Sequence, residues 1–397
     1  MRTLELRRAA RFASTLALML ALTGGPPAAA AAGPVASAPP ALTPPSAELT
    51  PAEAAAPYGR VLAISGDTAA VTGSVDGEAV VFIFVRAAGA WCEQASIYDP
   101  AVPDPASVFG SVLALSGDTL AVGAGAENAM VSSVYIFVRT AGAWGLEAHL
   151  QPPRAAALGF GTSLALSGDT LVIGVPGPAA GAAAGAAYVY LRTGATWSRQ
   201  AILTAEAPAP ADRFGRAVGV AHQHVVVGGS GFAEIFDFAR AAWRRAAVLH
   251  GSGGGSGDGF GSATAASLET VAVGDPASQQ VSLFIHTSAG WFHQADLTPP
   301  DPRAAGFGGT LSLSQDTLVV GAPGTSRRRA PGSGAAYVFI RSRHRWQPGG
   351  AFGLAAPAPG EGFGGAVAVS LATALVGSTG GNPMPASAWL LDGLDNP

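Results

Sequence analysis

Lysine is absent: all 22 basic residues of this 397-residue chain are arginine. Abundant Ala, Gly and Pro beside the Arg point to a GC-rich genome, so the missing lysine is compositional bias with no functional meaning. Charge of either sign is scarce, at 12% of residues, and the formal net charge is −4. Removing residues 1–32 takes away four Arg and one Glu and leaves a net charge of −7. A mildly acidic chain lacks the basic stripe that nucleic-acid binding needs. Cysteine occurs once, as Cys92, which excludes an internal disulfide framework. Cys92 reads as a small apolar filler beside Trp91. Long hydrophobic runs are also missing. The one candidate, Phe12 to Thr23, is shorter than the roughly 20 residues a spanning helix requires.

That run has a context of its own. Arg2, Arg7, Arg8 and Arg11 precede or open it, and Ala28 to Ala32 follow. A positive region, a short apolar core and a small-residue cleavage site are the order of a secretory signal peptide. Residues 1–32 are therefore expected to direct export, with no membrane span left after cleavage. The expected location is secreted or at the cell surface. Residues 33–45, rich in Pro, Ala and Ser, read as a flexible linker.

Hydrophobic residues make up 49% of the chain, with 54 Gly and 30 Pro. This balance excludes wholesale disorder and marks many turns. An aromatic-Gly pair recurs at Tyr58, Phe109, Phe160, Phe214, Phe260, Phe307 and Phe363, each followed by Gly. The spacing is 46 to 56 residues. After each pair comes an apolar strand, a tight turn and a second apolar strand, clearest in Ser111 to Gly123 (SVLALSGDTLAVG) and Thr162 to Gly174 (TSLALSGDTLVIG). Alternation on both sides of the turn suits half-buried strands, and Gly in the turn suits positive φ. A third strand follows, then a fourth near Trp91, Trp144, Trp197, Trp243, Trp291 and Trp346.

Each unit is thus a four-stranded antiparallel meander. One meander cannot bury both faces, and radial stacking solves that. The seventh copy stops at Pro397 without a fourth strand, while Ala47-Glu48-Leu49-Thr50-Pro51 before the first copy resembles the fourth-strand segment Ala295-Asp296-Leu297-Thr298-Pro299. The expectation is an all-β, seven-bladed β-propeller over residues 46–397. The N-terminal strand would pair with the last blade, so that Leu49 lies beside the segment near Trp389 and both sheet edges are hidden.

The phrases FGSVLALSGDTLAVGAG, FGTSLALSGDTLVIGVPG and FGGTLSLSQDTLVVGAPG resemble the FG-GAP repeat, in particular its bacterial branch. The resemblance implies a seven-bladed propeller similar to the head of integrin α subunits, with extracellular binding or adhesion as its broad role. The better-known branch of that family carries a calcium loop of D-x-D-x-D-G type between its first two strands. Here that place holds a two-residue turn with at most one carboxylate: Asp67, Asp118, Asp169, Glu269 or Asp316. Calcium takes six to eight oxygen ligands, so no calcium site is expected, and no other metal or cofactor.

No residue reads as catalytic. The Ser-Gly-Asp steps at 65–67, 116–118 and 167–169 recur in register, as turn chemistry does. His222 and His224 flank a turn with no ligand partner nearby in sequence, and a metal there would need residues from another blade. Gly251 to Gly261 lacks the Lys-Ser/Thr of a phosphate loop. Asp212, Asp258 and Glu361, two residues before Phe, suit acceptance of loop N–H bonds. The Trp series suits packing between blades.

The sharpest irregularity is Arg327-Arg328-Arg329 in the 2–3 loop of the sixth copy, the candidate ligand-binding residues. Strand order puts the 2–3 and 4–1 loops at one face, including Gly174–Ala187, Thr204–Arg213, Gly251–Gly259 and Gly321–Ala336. Arg343, His344 and Arg345 fall on the other. Long loops on a rigid scaffold carry recognition. The expected function is a non-catalytic binding or adhesion scaffold for an extracellular protein or glycan. A propeller enzyme acting on a polymer, such as a glycosidase or lyase, and a structural envelope component are the alternatives.

Overall fold

Two glycines decide how most of the blades meet. The computed structural model describes residues 41–53, 58–101, 108–124, 133–152, 159–177, 184–251, 259–380 and 386–394. The expected signal peptide, residues 33–40 of the expected linker, Asp258 and the tips of the loops after Val175 and His250 lie outside the described residues.

The strands form seven separate four-stranded antiparallel sheets. Six are built from consecutive strands. The second, for example, consists of Phe109–Ser116, Thr119–Ala124, Ser133–Thr140 and Ala143–Leu150. The seventh joins Phe363–Ser370, Thr373–Ser378 and Ala388–Leu391 to the N-terminal strand Ala47–Leu49. The register there is Ala47 with Leu390, Glu48 with Trp389 and Leu49 with Ala388. The first strands of neighbouring blades pack in sequence around an axis, and the last packs on the first. The result is a closed seven-bladed β-propeller. The chain reaches its closing strand by way of blade six, because Thr43 N donates to Ala351 O and Gly353 N to Thr43 O. Thr43, inside the expected linker, is thus held against blade six.

Half-buried alternation holds only for the fourth strands. The fourth strand of blade one, Ala90–Tyr98, alternates exposed and intermediate residues from Ala90 to Ser96, whereas Leu120, Ala121 and Val122 of blade two's second strand are all fully buried. A middle strand is covered on both faces by adjacent blades and so reads as an apolar run. Cys92, on the outermost strand of blade one (Ala90–Tyr98), is exposed. Its neighbour Trp91 faces the blade joint and strand alternation turns the thiol outward, which corrects the filler reading.

The aromatic of each pair is buried in its own blade. Phe307 is fully buried and meets Tyr337 and Phe339 edge-on at 5.7 and 6.0 Å. The glycine after it serves the joint. Gly364 has φ +90°, and its carbonyl lies where a Cβ on Gly321, at the end of blade six's second strand, would have to sit. Gly174, Gly228, Gly274 and Gly377 meet the next aromatic-pair glycine in the same way.

Polar links add direction. Gly117 N donates to Ser65 Oγ (2.9 Å), Gly168 N to Ser116 Oγ (3.0 Å) and Gly66 N to Ser370 Oγ (2.9 Å), so turn serines tie blade one to two, two to three and seven to one. The Trp series does likewise. The indoles of Trp144, Trp197, Trp243 and Trp346 donate to Gln94, Glu147, Gln200 and Gln294 of the preceding blade at 2.7–3.0 Å. Trp91 has no such partner, because the strand that completes blade seven is only three residues long.

The turn glycine and the joint glycine are separable by mutation. Gly117 has φ +56° with open space around it, so Gly117→Ala is expected to cost about 1–2 kcal/mol through backbone conformation alone. Gly321→Ala drives a methyl into the Gly364 carbonyl and is expected to cost more than about 3 kcal/mol. Denaturant unfolding of the two variants measures the difference, and equal costs would count against a backbone-contact joint.

Candidate functional site

The two faces of the ring differ in how their polar groups are used. On the face of the 1–2 and 3–4 turns, the repeat consumes its own charges. Arg86 Nε lies 3.0 Å from Asp67 Oδ1, Arg139 Nη2 lies 2.5 Å from Asp118 Oδ1, and Arg341 Nε lies 2.5 Å from Asp316 Oδ1. The main-chain N–H of each Arg donates to the carbonyl of the same Asp at 2.8 Å, and each guanidinium sits over the Trp of its own fourth strand at 5.3–5.9 Å. These turns are where the resemblance would place calcium. Each offers at most one carboxylate, and in blades one, two and six an arginine occupies it. That donor set does not fit calcium, which needs several oxygens and no cation beside them. Arg343 and Arg345 also lie on this face, exposed beside the turn residue His344.

Blades four and five carry a departure on the same face that pairwise sequence reading missed. His224 Nδ1 lies 2.7 Å from Asp237 Oδ1, to which Trp291 Nε1 of blade five donates at 3.3 Å. The His286 ring, also from blade five, is 4.8 Å from the His224 ring. His224 is therefore a joint residue and not part of a solvated turn; only His222, with φ 53°, sits in the turn. The signal was in the register: where His224 stands, other blades have Thr68, Thr119, Thr170, Thr270, Thr317 and Thr373, and where His286 stands, Arg86, Arg139, Arg192 and Arg341 occur. Among the described residues no three His, Cys, Asp or Glu are grouped to hold a metal ion.

The face of the 2–3 and 4–1 loops is built differently. The loop after Ala322 folds back through paired main-chain bonds between Arg327 and Ala330 (3.1 and 3.0 Å). This turn sorts the three candidate arginines. Arg327 is half-buried and its Nη1 donates to the carbonyl of buried Leu354 at 2.8 Å. Arg328 and Arg329 are exposed at the tip. Beside them, in the connection from blade five, Arg303 binds buried Asp301 with two parallel bonds of 3.0 Å. Those bonds hold the Asp301 carboxyl below its usual range. Burial, with the Asp301 charge second, pushes the neighbouring Tyr337 phenol up to about 12. The acids before Phe act as expected where described: Asp212 accepts from Ala209 N at 2.8 Å and Glu361 from Ala358 N at 2.9 Å.

Among the described residues two concavities stand out on this face. One, of about 270 Å³, is the mouth of the axial channel, with Arg60, Thr162 and Arg216 in its wall. Deeper along the axis a cavity of about 290 Å³ is lined by the first strands of all seven blades. The other concavity, of about 410 Å³, is a groove between blades one and two, bordered by Arg60, Thr72, Ser74, Gly77 and Val108. It exists because blade one joins its second and third strands by a two-residue turn between Val75 and Glu78, where blade six has a long loop.

Adding calcium chloride or a chelator is expected to leave the melting temperature of the protein unchanged. A calcium-dependent rise in a thermal scan would refute the reading of the turns.

A family model described as FG-GAP repeat matches residues 144–190 and 291–339. No curated protein matches the sequence. Among solved structures, the chain is similar to a protein from Lactobacillus plantarum, at 15% identity over 76% of this chain and 86% of that one, with a TM-score of 0.50. It is also similar to Kluyvelomyces marxianus Hsv2, at 10% identity over 84% of this chain and 97% of that one, with a TM-score of 0.51. At such identities the likeness concerns the fold alone. The chain carries FG-GAP repeats in two places, and its seven four-stranded blades form a β-propeller.

Proposed function

We propose that this chain is an exported, non-catalytic binding or adhesion scaffold whose partner, an extracellular protein or glycan, docks on the face of the 2–3 and 4–1 loops. The observation that carries the reading is the asymmetry between faces. In blades one, two and six the turn face spends its Asp, Arg and Trp groups on the repeat's own contacts. The loop face breaks the repeat with the Arg328–Arg329 tip, the channel mouth and the groove beside blade one. A binding role is what FG-GAP repeats on a propeller suggest. Recognition elements on loops held by a rigid ring also fit a scaffold.

Export rests on residues 1–32, whose order of charge, apolar core and small residues is that of a cleaved signal. Among the described residues no helix is long and apolar enough to cross a membrane. The non-catalytic reading is supported by the use of a His–Asp cluster that departs from the repeat. Its Asp237 is bonded to both His224 and Trp291.

The test is capture of surface and secreted fractions, with a glycan array in parallel, by the full exported chain and its variants. Arg328→Ser with Arg329→Ser is expected to lower capture at least about fivefold with no change in melting, since both side chains are exposed surface groups. Arg343→Ser with Arg345→Ser, on the turn face, is expected to leave capture intact. The reverse pattern would assign binding to the other face. Arg327→Ser is expected to behave as a stability variant, costing about 1–3 kcal/mol because it orphans the buried Leu354 carbonyl.

A further inference from the structure

We infer that the mouth of the axial channel on the loop face binds a compact oxyanion (a sulfate, phosphate or carboxylate group), with Arg60 and Arg216 as its cationic walls. The inference rests on the loop face being the binding face and names the chemistry it would take there.

The residue after each aromatic-Gly pair is Arg60, Ser111, Thr162, Arg216, Ser262, Gly309 and Gly365 in chain order. Five are small. The two arginines are the departures, and both line the same cavity. They come from blades one and four, on opposite sides of a seven-membered ring. Turn residues that define the repeat recur; these two break it, and they do so at the axis.

The electrostatics of the mouth follow from its lining. Among the described residues no Asp or Glu contributes to its wall or to the cavity below it. The floor is apolar, with Leu62, Leu113, Leu164, Val218, Leu311 and Val367 around it. Charges in a concave site with low-dielectric walls project a focused field, here positive within a chain of net charge −4. Of the wall's hydroxyls, Thr264 Oγ1 is buried without a partner, and the other three are spent on main-chain carbonyls. Thr162 Oγ1 gives its proton to Gly159 O (2.6 Å), Ser163 Oγ to Gly215 O (2.8 Å) and Thr310 Oγ1 to Gly364 O (2.8 Å). Recognition therefore falls mainly to the guanidiniums, whose fork of N–H groups matches an oxyanion. Arg60 is exposed, whereas Arg216 is half-buried and engaged by contacts of its own, which limits the ordering needed on binding.

Arg60 also borders the groove between blades one and two. A larger ligand could thus place its anionic group at the axis and its remainder along the groove. The acids Asp76, in the turn, and Glu78, at the start of the third strand, flank Gly77 farther from the axis. The anion accordingly belongs at the axial end.

The experiment is calorimetric titration of the full exported chain with sodium sulfate, sodium phosphate and sodium glucuronate at constant ionic strength, with melting temperature as a second readout. At least one of the three is expected to bind with a dissociation constant on the order of 1 mM or tighter. Which anion binds best separates a sulfated, phosphorylated or carboxylated source. Arg60→Ala is expected to weaken binding at least about threefold, and Arg60→Ala with Arg216→Ala at least about tenfold. The pair Arg60→Lys with Arg216→Lys should keep part of the affinity. Sulfate binding should be flat between about pH 6 and 9, because guanidinium stays charged. Should the double alanine variant fail to fold, the exposed Arg60→Ala alone still decides. Undiminished binding by Arg60→Ala, or no binding of any of the three anions, overturns the inference. Partner capture that depends on Arg328 and Arg329 but not on Arg60 would leave the loop-face reading standing and remove only the anion site.

Discussion

The ring depends on how closely two backbones can approach at each blade joint. The second strand of one blade ends in a glycine, and the carbonyl of the next blade's aromatic-pair glycine lies on it, as Gly364 lies on Gly321 and Gly59 on Gly377. No side chain fits between them. The contact sets the distance between blades, and the buried ring of the preceding residue, as in Phe307 or Phe363, sets the packing beside it. Where the rule relaxes, the joint opens. Blade one has Thr72 at the place of the strand-ending glycine, and the groove between blades one and two runs past it.

The unit of sequence and the unit of structure are out of step, and that mismatch closes the ring. The two FG-GAP matches start at Trp144 and Trp291 and end in the third strand of the following blade. A sequence unit is therefore the outer strand of one blade followed by the inner three of the next. A chain built from such units leaves an unpaired outer strand at its start and an incomplete blade at its end. Joining Ala47–Leu49 to Ala388–Leu391 resolves both. The exposed edge of an open sheet is a site for wrong pairing, so a closing strand of even three residues removes the place where the ring would otherwise recruit another chain.

Legibility followed repetition. Aromatic-Gly pairs, turn serines and the Trp series were readable because seven copies averaged out local noise. The alternation of the second strands was misread because a blade interior is covered on two sides, which a half-buried pattern does not describe. Cys92 was misplaced for the related reason that the fourth strand is the rim of the ring. The three arginines at 327–329 looked equivalent as a run. Only the turn closed by Arg327 and Ala330 makes the first an anchor and leaves the other two in solvent.

Residues distant in sequence show the rest. His224, Asp237 and His286 span three strands of two blades, and Arg60 and Arg216 are 156 positions apart. Each was visible as a break in the register, but nothing in the chain order says that such breaks share a joint or an axial mouth. Periodicity determines blade number, strand order and the sorting of loops onto two faces, because these follow from a repeated local pattern and the need to bury both sides of every sheet. The tertiary structure decided which charges are spent inside the repeat and which converge on the axis, because convergence depends on the angle between blades, a quantity set by backbone contacts across joints and carried by no single segment.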